Sequence, residues 1–121
     1  MVLSRTDRSY VELEPGLVSS LADFTIATWV KLPENLDDYA RLFDFGTGTG
    51  AYMAFAPKAG SKIFYQIRNS SADYTLSIPH NVPLNKWVHL AISQNGATFK
   101  VYLNGSLIFT DQQAALRPVD L

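Results

Sequence analysis

Residues Lys86–Thr110, KWVHLAISQNGATFKVYLNGSLIFT, decide the fold of this chain. Two Asn-Gly pairs, Asn95-Gly96 and Asn104-Gly105, divide the stretch into three runs. Asn-Gly best tolerates the positive φ that a type I′ hairpin turn needs at both of its central positions. In the first two runs the apolar side chains recur at every second position, which is typical of strands with one face on a core. The stretch therefore predicts a three-stranded antiparallel meander.

The composition indicates one globular domain. Of the 121 residues, 47% are apolar and 17% are charged, and a chain of this length buries about two thirds of its unfolded surface on folding. The net charge is −1 and the basic residues are scattered, so nothing favours nucleic acid or an anionic membrane as a partner. The chain has no cysteine, which excludes disulfides and thiolate metal sites. No apolar run approaches the ~20 residues of a membrane span, so we expect no membrane insertion.

The remaining segments predict further short strands. Phe24–Leu32 alternates and is rich in β-branched and aromatic residues, so we expect a long strand near the middle of a sheet, with Ile26 and Trp29 on opposite faces. Other strands are predicted at Tyr10–Leu13, Arg41–Phe45, Ala51–Ala56, Lys62–Arg68 and Tyr74–Ile78, and a single helical turn is predicted at Gly16–Asp23. About nine short strands without a helical period favour an all-β antiparallel sandwich.

Six segments together carry a resemblance to a known family. They are Tyr10–Leu13, Phe24–Lys31, Arg41–Gly46, Tyr52–Met53, Trp87–Ala91 and Val101–Gly105. In this order they resemble the laminin-G-like, concanavalin A-like jelly-roll domains of lectins and glucanases. The similarity is greatest to the accessory domains of bacterial glycoside hydrolases that act on arabinan and related polysaccharides. The resemblance extends over residues 10–121 and implies a jelly-roll sandwich.

The resemblance also implies that the domain is truncated at its C-terminus. Domains of this type continue into further strands after the region that Leu116–Leu121 resembles. We therefore expect residues 1–121 to form the N-terminal three quarters of one jelly-roll domain. Because an unpaired sheet edge invites pairing with another chain, we also expect self-association through such an edge.

The sequence offers little support for catalysis. Glycoside hydrolysis needs two carboxylates across the scissile bond, and only Glu12 and Glu14 lie at alternate positions of a predicted strand, where a solvated strand face explains them better. The chain lacks cysteine and a Gly-x-Ser-x-Gly motif, which argues against nucleophilic catalysis. His80 is interpreted as an exposed loop residue and His89 as a hydrogen-bonded structural residue. We expect no catalytic residues and no enzyme activity in this chain, which would then serve a larger glycoside hydrolase.

Two further segments suggest ligands without defining a site. Gly46–Gly50, GTGTG, has the composition of a phosphate loop, but a predicted strand follows it where phosphate binding needs a helix, so a hairpin loop is expected. Asp37, Asp38 and Asp44 offer oxygen ligands for calcium but lack EF-hand spacing. Calcium is common in the family that the chain resembles, so a calcium site stays open, and no other cofactor is expected.

Aromatic and planar polar side chains suit sugar binding, because sugar rings stack on aromatic rings and sugar hydroxyls bind amide and guanidinium groups. In Lys62–Arg68 one face is apolar, so the opposite face forms the first candidate site: Phe64, Gln66 and Arg68. A second candidate site lies beside the acidic loop that ends at Tyr39: Tyr39, Arg41 and Asp44. An ordinary mixed surface would show the same residue types.

The predicted function is a non-catalytic carbohydrate-binding or accessory module of a secreted bacterial polysaccharide-degrading enzyme, with a polysaccharide or glycan as its partner. Two alternatives stay open, an adhesion or protein-interaction module and a jelly-roll glycosidase or lyase, because a fold alone decides among none of them. The first residues, MVLSR, lack the apolar core of a signal peptide. An extracellular location would therefore require a signal outside this sequence.

Overall fold

The computed structural model describes all 121 residues. Its strands are β1 (Phe24–Lys31), β2 (Phe43–Gly46), β3 (Tyr52–Ala59), β4 (Lys62–Arg68), β5 (Asp73–Ile78), β6 (Trp87–Asn95), β7 (Thr98–Leu103) and β8 (Ser106–Asp111), followed by a short 3₁₀ helix at Pro118–Asp120. The strands form two antiparallel sheets of four. The first sheet has the order β1-β6-β7-β8 and the second has the order β2-β3-β4-β5. The structure contains no helix with the length and hydropathy of a membrane-spanning segment.

The predicted meander is confirmed as β6, β7 and β8, although its two turns differ. Asn104 and Gly105 both have positive φ, 50° and 81°, as the predicted type I′ turn requires. The prediction of a second type I′ turn at Asn95-Gly96 was wrong. Asn95 still pairs with Thr98, so the loop residues are Gly96 and Ala97, of which only Gly96 has positive φ. Glycine alone at the first central position is the arrangement of a type II′ turn.

The core lies between the inner faces of the two sheets. The predicted apolar face of β4 is confirmed, since Ile63, Tyr65 and Ile67 are fully buried. The ring of Tyr65 stacks on that of Phe99 in the first sheet, with 4.4 Å between the ring centroids. Val88 in β6 is also fully buried. The alternation of apolar residues in β4 and β6 thus joins the two sheets into an all-β sandwich, as the sequence predicts.

Three predictions of local structure were wrong. β1 lies at the edge of the first sheet, where it pairs only with β6, because the alternation that the sequence shows defines the faces of a strand and not the number of its neighbours. Tyr10–Leu13 forms no strand and Tyr10 is 75% exposed, since no other segment supplies backbone partners for it. Gly16–Asp23 forms turns, with Gly16 in the left-handed region at a φ of 82°, and not a helical turn. The strand count is therefore eight.

The segment after β8 closes one end of the sandwich. Gln94 is 1% exposed, and its side-chain amide donates a hydrogen bond of 3.0 Å to the carbonyl oxygen of Leu116. The amide of Val119 donates to the carbonyl oxygen of Leu21, which lies just before β1. The sheet edges are β1 and β8 in the first sheet and β2 and β5 in the second. Self-association through one of these edges stays a prediction, which sedimentation at increasing protein concentration tests.

Candidate functional site

The outer face of the second sheet holds the first candidate site. Because side chains alternate along a strand, burial of the apolar face of β4 turns Phe64, Gln66 and Arg68 outward, where each is half-buried. In the adjacent strand β3, Ala56 pairs with Phe64 and Ala54 pairs with Gln66. Both alanines are 1% exposed. These small residues form a floor over which larger neighbouring side chains lie.

The second candidate site lies on this same face. The ring of Tyr39 contacts that of Phe64 edge to face, with 5.3 Å between the centroids. The backbone amide of Tyr39 donates a 2.8 Å hydrogen bond to the carbonyl oxygen of Lys58 in β3. The ammonium group of Lys58 in turn donates 2.8 Å hydrogen bonds to the carbonyl oxygen of Leu36 and to the carboxylate of Asp38. The acidic loop is thus fixed to β3, and the hydrogen bond from Lys58 lowers the pKa of the Asp38 carboxyl.

A chain of polar contacts connects the two candidate sites. Arg41 forms an ion pair with Asp44, and its guanidinium carbon lies 5.1 Å from the centroid of the Tyr52 ring. The hydroxyl of Tyr52 donates a hydrogen bond to the side-chain oxygen of Gln66. The side-chain nitrogen of Gln66 donates to both carboxylate oxygens of Asp73, at 3.0 Å and 2.9 Å. We call these five residues, Arg41, Asp44, Tyr52, Gln66 and Asp73, the polar network.

The polar network ends at Asp73. The guanidinium group of Arg68 lies beside Asp73 but is only loosely paired with it. The hydroxyl of Thr75 donates a 2.6 Å hydrogen bond to Asp73, and this bond, followed by the one from Gln66, lowers the pKa of the Asp73 carboxyl. The Nε atom of Arg68 lies 3.9 Å from Asp73, too far for a hydrogen bond, and has no other partner. This Nε atom is buried, so the donors that Arg68 offers a ligand are its terminal guanidinium nitrogens, on a side chain that is 42% exposed.

At one end of this face the surface opens into a cleft of about 340 Å³. Its lining is formed by Arg41, Asp44, Gly46, Gly48, Thr49 and Tyr52. The glycine-rich segment is the hairpin loop between β2 and β3 that the sequence predicts. Gly46 has no room for a side chain, because an added Cβ would lie 2.6 Å from the Cβ of Tyr52. Gly48 has a φ of 123° and faces open space, so a backbone without side chains forms one wall of the cleft.

The cleft fits a small polar ligand. Its volume lies in the range of about 300 to 1,000 Å³ that is typical of ligand sites. Arg41 supplies hydrogen-bond donors, while the Tyr52 and Thr49 hydroxyls and the Asp44 carboxylate supply acceptors. Donors and acceptors lie around a short stretch of bare backbone, an arrangement that can bind vicinal hydroxyl groups.

The cleft does not contain a pair of acidic side chains that could hydrolyse a glycosidic bond. Asp44 is the only carboxylate that lines it, whereas glycoside hydrolysis needs two. Glu12 and Glu14 lie in an exposed segment outside any strand, so they do not share the strand face that a catalytic pair requires.

The two histidines lie away from the cleft. The interpretation of His80 was wrong, whereas His89 is a structural residue as expected, although its hydrogen bond is made by the backbone and not by the ring. His80 is half-buried and not exposed, with its Nδ1 atom 2.9 Å from the carbonyl oxygen of Asn81. His89 is hydrogen-bonded through its backbone amide to Asn104, while its ring packs against Trp29. Neither ring is hydrogen-bonded to a carboxylate or a serine.

The aspartates that could bind calcium do not form a shared site. Asp37 is paired with Arg5, Asp38 with Lys58, and Asp44 with Arg41. No group of three or more histidine, aspartate or glutamate side chains is close enough together to hold a metal ion. Since calcium takes six to eight oxygen ligands, these side chains do not fit it in their present arrangement.

The sequence identified one part of this face and missed another. All six predicted residues lie on it, at the cleft or beside it, and the structure brings the two groups together through Tyr52 and Gln66. Tyr52, Asp73 and Thr75 were missed as site residues. Their only sequence signal is the alternation of β3 and β5, which becomes informative once the register of Tyr52 opposite Arg68, and of Arg68 opposite Asp73, is known.

Comparison with known protein families gives a match over residues 5–119 to a laminin G family model, described as the concanavalin A-like lectin/glucanases superfamily. Comparisons with curated proteins and with solved structures give no significant match. The matched range includes all eight strands and both sheets of the sandwich. This chain therefore belongs to the concanavalin A-like lectin/glucanases superfamily.

Proposed function

We propose that this chain is a non-catalytic carbohydrate-binding module and that the outer face of the second sheet, with its cleft, is the sugar-binding site. The observation that carries the proposal is the polar network, which holds the Arg41 guanidinium and the Tyr52 hydroxyl at an open cleft. Because these groups are already bonded to protein partners, a ligand does not have to pay the entropy of ordering them. Membership of a lectin and glucanase superfamily supports the same class of ligand.

The dimensions of the face favour an oligosaccharide over a single sugar. From Ala56, the partner of Phe64, to Tyr52 is four residues along β3, or about 13 Å at the usual rise of a strand. Tyr39 is 60% exposed beside Phe64 and offers an aromatic surface at the end of the face away from the cleft. A sugar chain could therefore stack on Tyr39 while its hydroxyls bind Arg41 and Tyr52 in the cleft.

The wider role that we propose is that of an accessory module in a secreted bacterial enzyme that degrades polysaccharides. A single carboxylate in the cleft supports binding without hydrolysis. In such an arrangement the module would hold the polymer near a catalytic domain. The proposal therefore includes an extracellular location for this protein.

The test is calorimetric titration and affinity electrophoresis of the chain against arabinan, xylan, β-glucan and galactan, with and without calcium. We expect saturable binding to one polymer, weakened about tenfold or more by Arg41→Ala, because hydrogen bonds to a charged group contribute about 1.5 to 3 kcal/mol. Lys86→Ala is the matched control, since Lys86 is an exposed cation in a loop outside the cleft.

Four outcomes would contradict the proposal. Equal binding by the Arg41→Ala and Lys86→Ala variants would place the sugar elsewhere. Release of new reducing ends from the polymer would show a glycosidase, and release of unsaturated sugars would show a lyase. Failure to bind any of the polymers would leave the adhesion or protein-interaction module as the better function.

A further inference from the structure

The outer face of the first sheet carries both tryptophans of the chain. Trp29 in β1 and Trp87 in β6 are each 63% exposed. In the register of the two strands Trp29 is opposite His89 and Trp87 is opposite Lys31. The two indoles are therefore diagonal neighbours on adjacent strands, at a typical separation of about 7 to 8 Å. Together with Lys31 and Lys100 they define what we call the tryptophan face.

The tryptophan face is held in place by the meander. The rings of Trp29 and His89 meet edge to face with 5.3 Å between their centroids. The backbone of His89 is bonded on both sides by Asn104, whose side-chain oxygen accepts from the His89 amide at 2.9 Å. The amide of Asn104 donates to the carbonyl oxygen of His89 at 2.8 Å. The type I′ turn at Asn104 thus supports β6, the strand that carries Trp87 and the His89 ring on which Trp29 packs.

The charged residues of the three strands that form the tryptophan face are all basic. β1, β6 and β7 contain no aspartate or glutamate, and their charged residues are Lys31 in β1 and Lys100 in β7. Lys100 lies opposite Ser93 on the outward side of β7. Neither lysine forms an ion pair. Both ammonium groups are therefore available to an anion.

Two exposed indoles suit an extended ligand with apolar rings and negative charge, because the unpaired Lys31 lies opposite Trp87 and the unpaired Lys100 lies opposite Ser93, about 13 Å farther along β6 than His89. Large aromatic side chains left exposed next to each other commonly mark a binding surface. Two lysines are few for a nucleic acid, whose affinity depends on neutralising many phosphates. A chain of uronic acids matches better, because each sugar presents a C–H face for stacking and one carboxylate.

We propose that the tryptophan face is a second binding surface, specific for an acidic polysaccharide of the polyuronate class. Trp29 and Trp87 stack against successive sugar rings, while Lys31 and Lys100 pair with the carboxylates. The surface lies on the opposite side of the sandwich from the cleft. This proposal is therefore independent of sugar binding at the cleft, and the two can fail separately.

Tryptophan fluorescence tests the proposal directly, since both tryptophans lie on this face. Titration with polygalacturonate is expected to change the emission saturably, and added salt is expected to weaken the binding because exposed charges are screened. Neutral galactan is expected to leave the emission unchanged over the same range. Binding of galactan that calorimetry detects without a change in emission would report the cleft alone.

Variants separate the contributions of charge and stacking. Lys31→Gln combined with Lys100→Gln is expected to weaken polygalacturonate binding about three- to tenfold, as two exposed ion pairs would. Lys62→Gln is the matched control, since Lys62 is exposed on a strand of the second sheet. Trp87→Ala, followed by affinity electrophoresis, is expected to weaken binding at least as much. Circular dichroism and thermal melting verify that each variant is folded.

The proposal is overturned if polygalacturonate leaves the emission unchanged. It is also overturned if the double lysine variant binds as tightly as Lys62→Gln, or if neutral galactan changes the emission with equal affinity. A single-stranded oligonucleotide that binds as tightly as polygalacturonate would assign the face to nucleic acid instead.

Discussion

The outer faces of the two sheets differ in how far their polar groups are already bonded to one another. On the second sheet, Gln66 bonds to Tyr52 on one side and to Asp73 on the other. On the first sheet, the indoles are open and Lys31 and Lys100 have no ion-pair partner. A bonded face fixes the positions of a few free donors, whereas an unbonded face relies on stacking and on charges that salt screens. The two proposed binding surfaces are therefore expected to differ in selectivity.

Gly46→Ala should produce the largest effect, because it breaks the second face while leaving the first intact. An added Cβ would collide with the carbonyl oxygen of Ala51 and lie 2.6 Å from the Cβ of Tyr52. We expect a loss of about 3 kcal/mol in the free energy of unfolding, measured by urea denaturation. The comparison variant is Gly105→Ala in the first sheet, where the added Cβ meets nothing and the positive φ alone costs about 1 kcal/mol. Equal losses would show that the β2–β3 hairpin can relax.

Gln66→Ala should have the next largest effect, since it removes the centre of the polar network. The Tyr52 hydroxyl would lose its acceptor and the Asp73 carboxylate would lose two donors. We expect a loss of about 1 to 2 kcal/mol in the free energy of unfolding. Lys100→Gln on the first sheet should change it by less than about 0.5 kcal/mol. If Gln66→Ala also changed the free energy of unfolding by less than about 0.5 kcal/mol, water would be replacing the hydrogen bonds of the polar network.

Lowering the pH should reduce the stability of the fold through Asp73, which lies on the second face. Hydrogen bonds from Thr75 and Gln66 lower the pKa of this carboxyl in the folded state below its ordinary value of about 3.9. A lowered pKa contributes stability that is fully present above the unfolded pKa and is lost as the pH falls through the folded pKa. Stability should therefore begin to decline near pH 4 and continue to decline below it. In Asp73→Asn the melting temperature should depend less on pH over this range, and an unchanged profile would exclude Asp73 as a contributor.

The smallest effect concerns the charge of the first face without any ligand. Because Lys31 lies opposite Trp87, Lys100 lies on the same face, and no carboxylate lies on the same strands, iodide should quench the tryptophan emission more strongly than caesium does. The ratio should approach that of a neutral indole in the Lys31→Gln, Lys100→Gln variant. Stronger quenching by caesium would show that acidic groups from elsewhere dominate the potential at this face.

The sequence predicts the fold well because alternation is a local signal. The bounds of β4 and its buried face follow directly from the order of residues in Lys62–Arg68, and the meander follows from two Asn-Gly pairs. The failures are of another kind. Tyr10–Leu13 has the composition of a strand but no partner, and β1 has the alternation of a central strand but lies at an edge. Pairing depends on distant residues, which a local pattern does not contain.

Prediction of the candidate site was limited in the same way, because it also depends on contacts between distant residues. The alternation of β4 predicts that Phe64, Gln66 and Arg68 point outward, and the structure confirms it. It could not show that Tyr39 would lie against Phe64, because that contact depends on the anchoring of the acidic loop to Lys58. Asp73 entered the site through the register of β5 alone. The site residues that were missed are therefore mainly those that lie opposite a predicted site residue on a neighbouring strand.

The edge position of β1 has a consequence for the order of folding. Within each sheet the other strands follow one another along the chain, whereas Ala27 of β1 pairs with Ala91, 64 positions later. Closing so long a loop is entropically costly, so non-local pairings of this kind form slowly. We expect the two meanders to form first and β1 to dock last. In stopped-flow refolding, Trp29 should report this late step, and the Trp29→Phe variant should lose the slow phase while Trp87 still reports the faster formation of the meander.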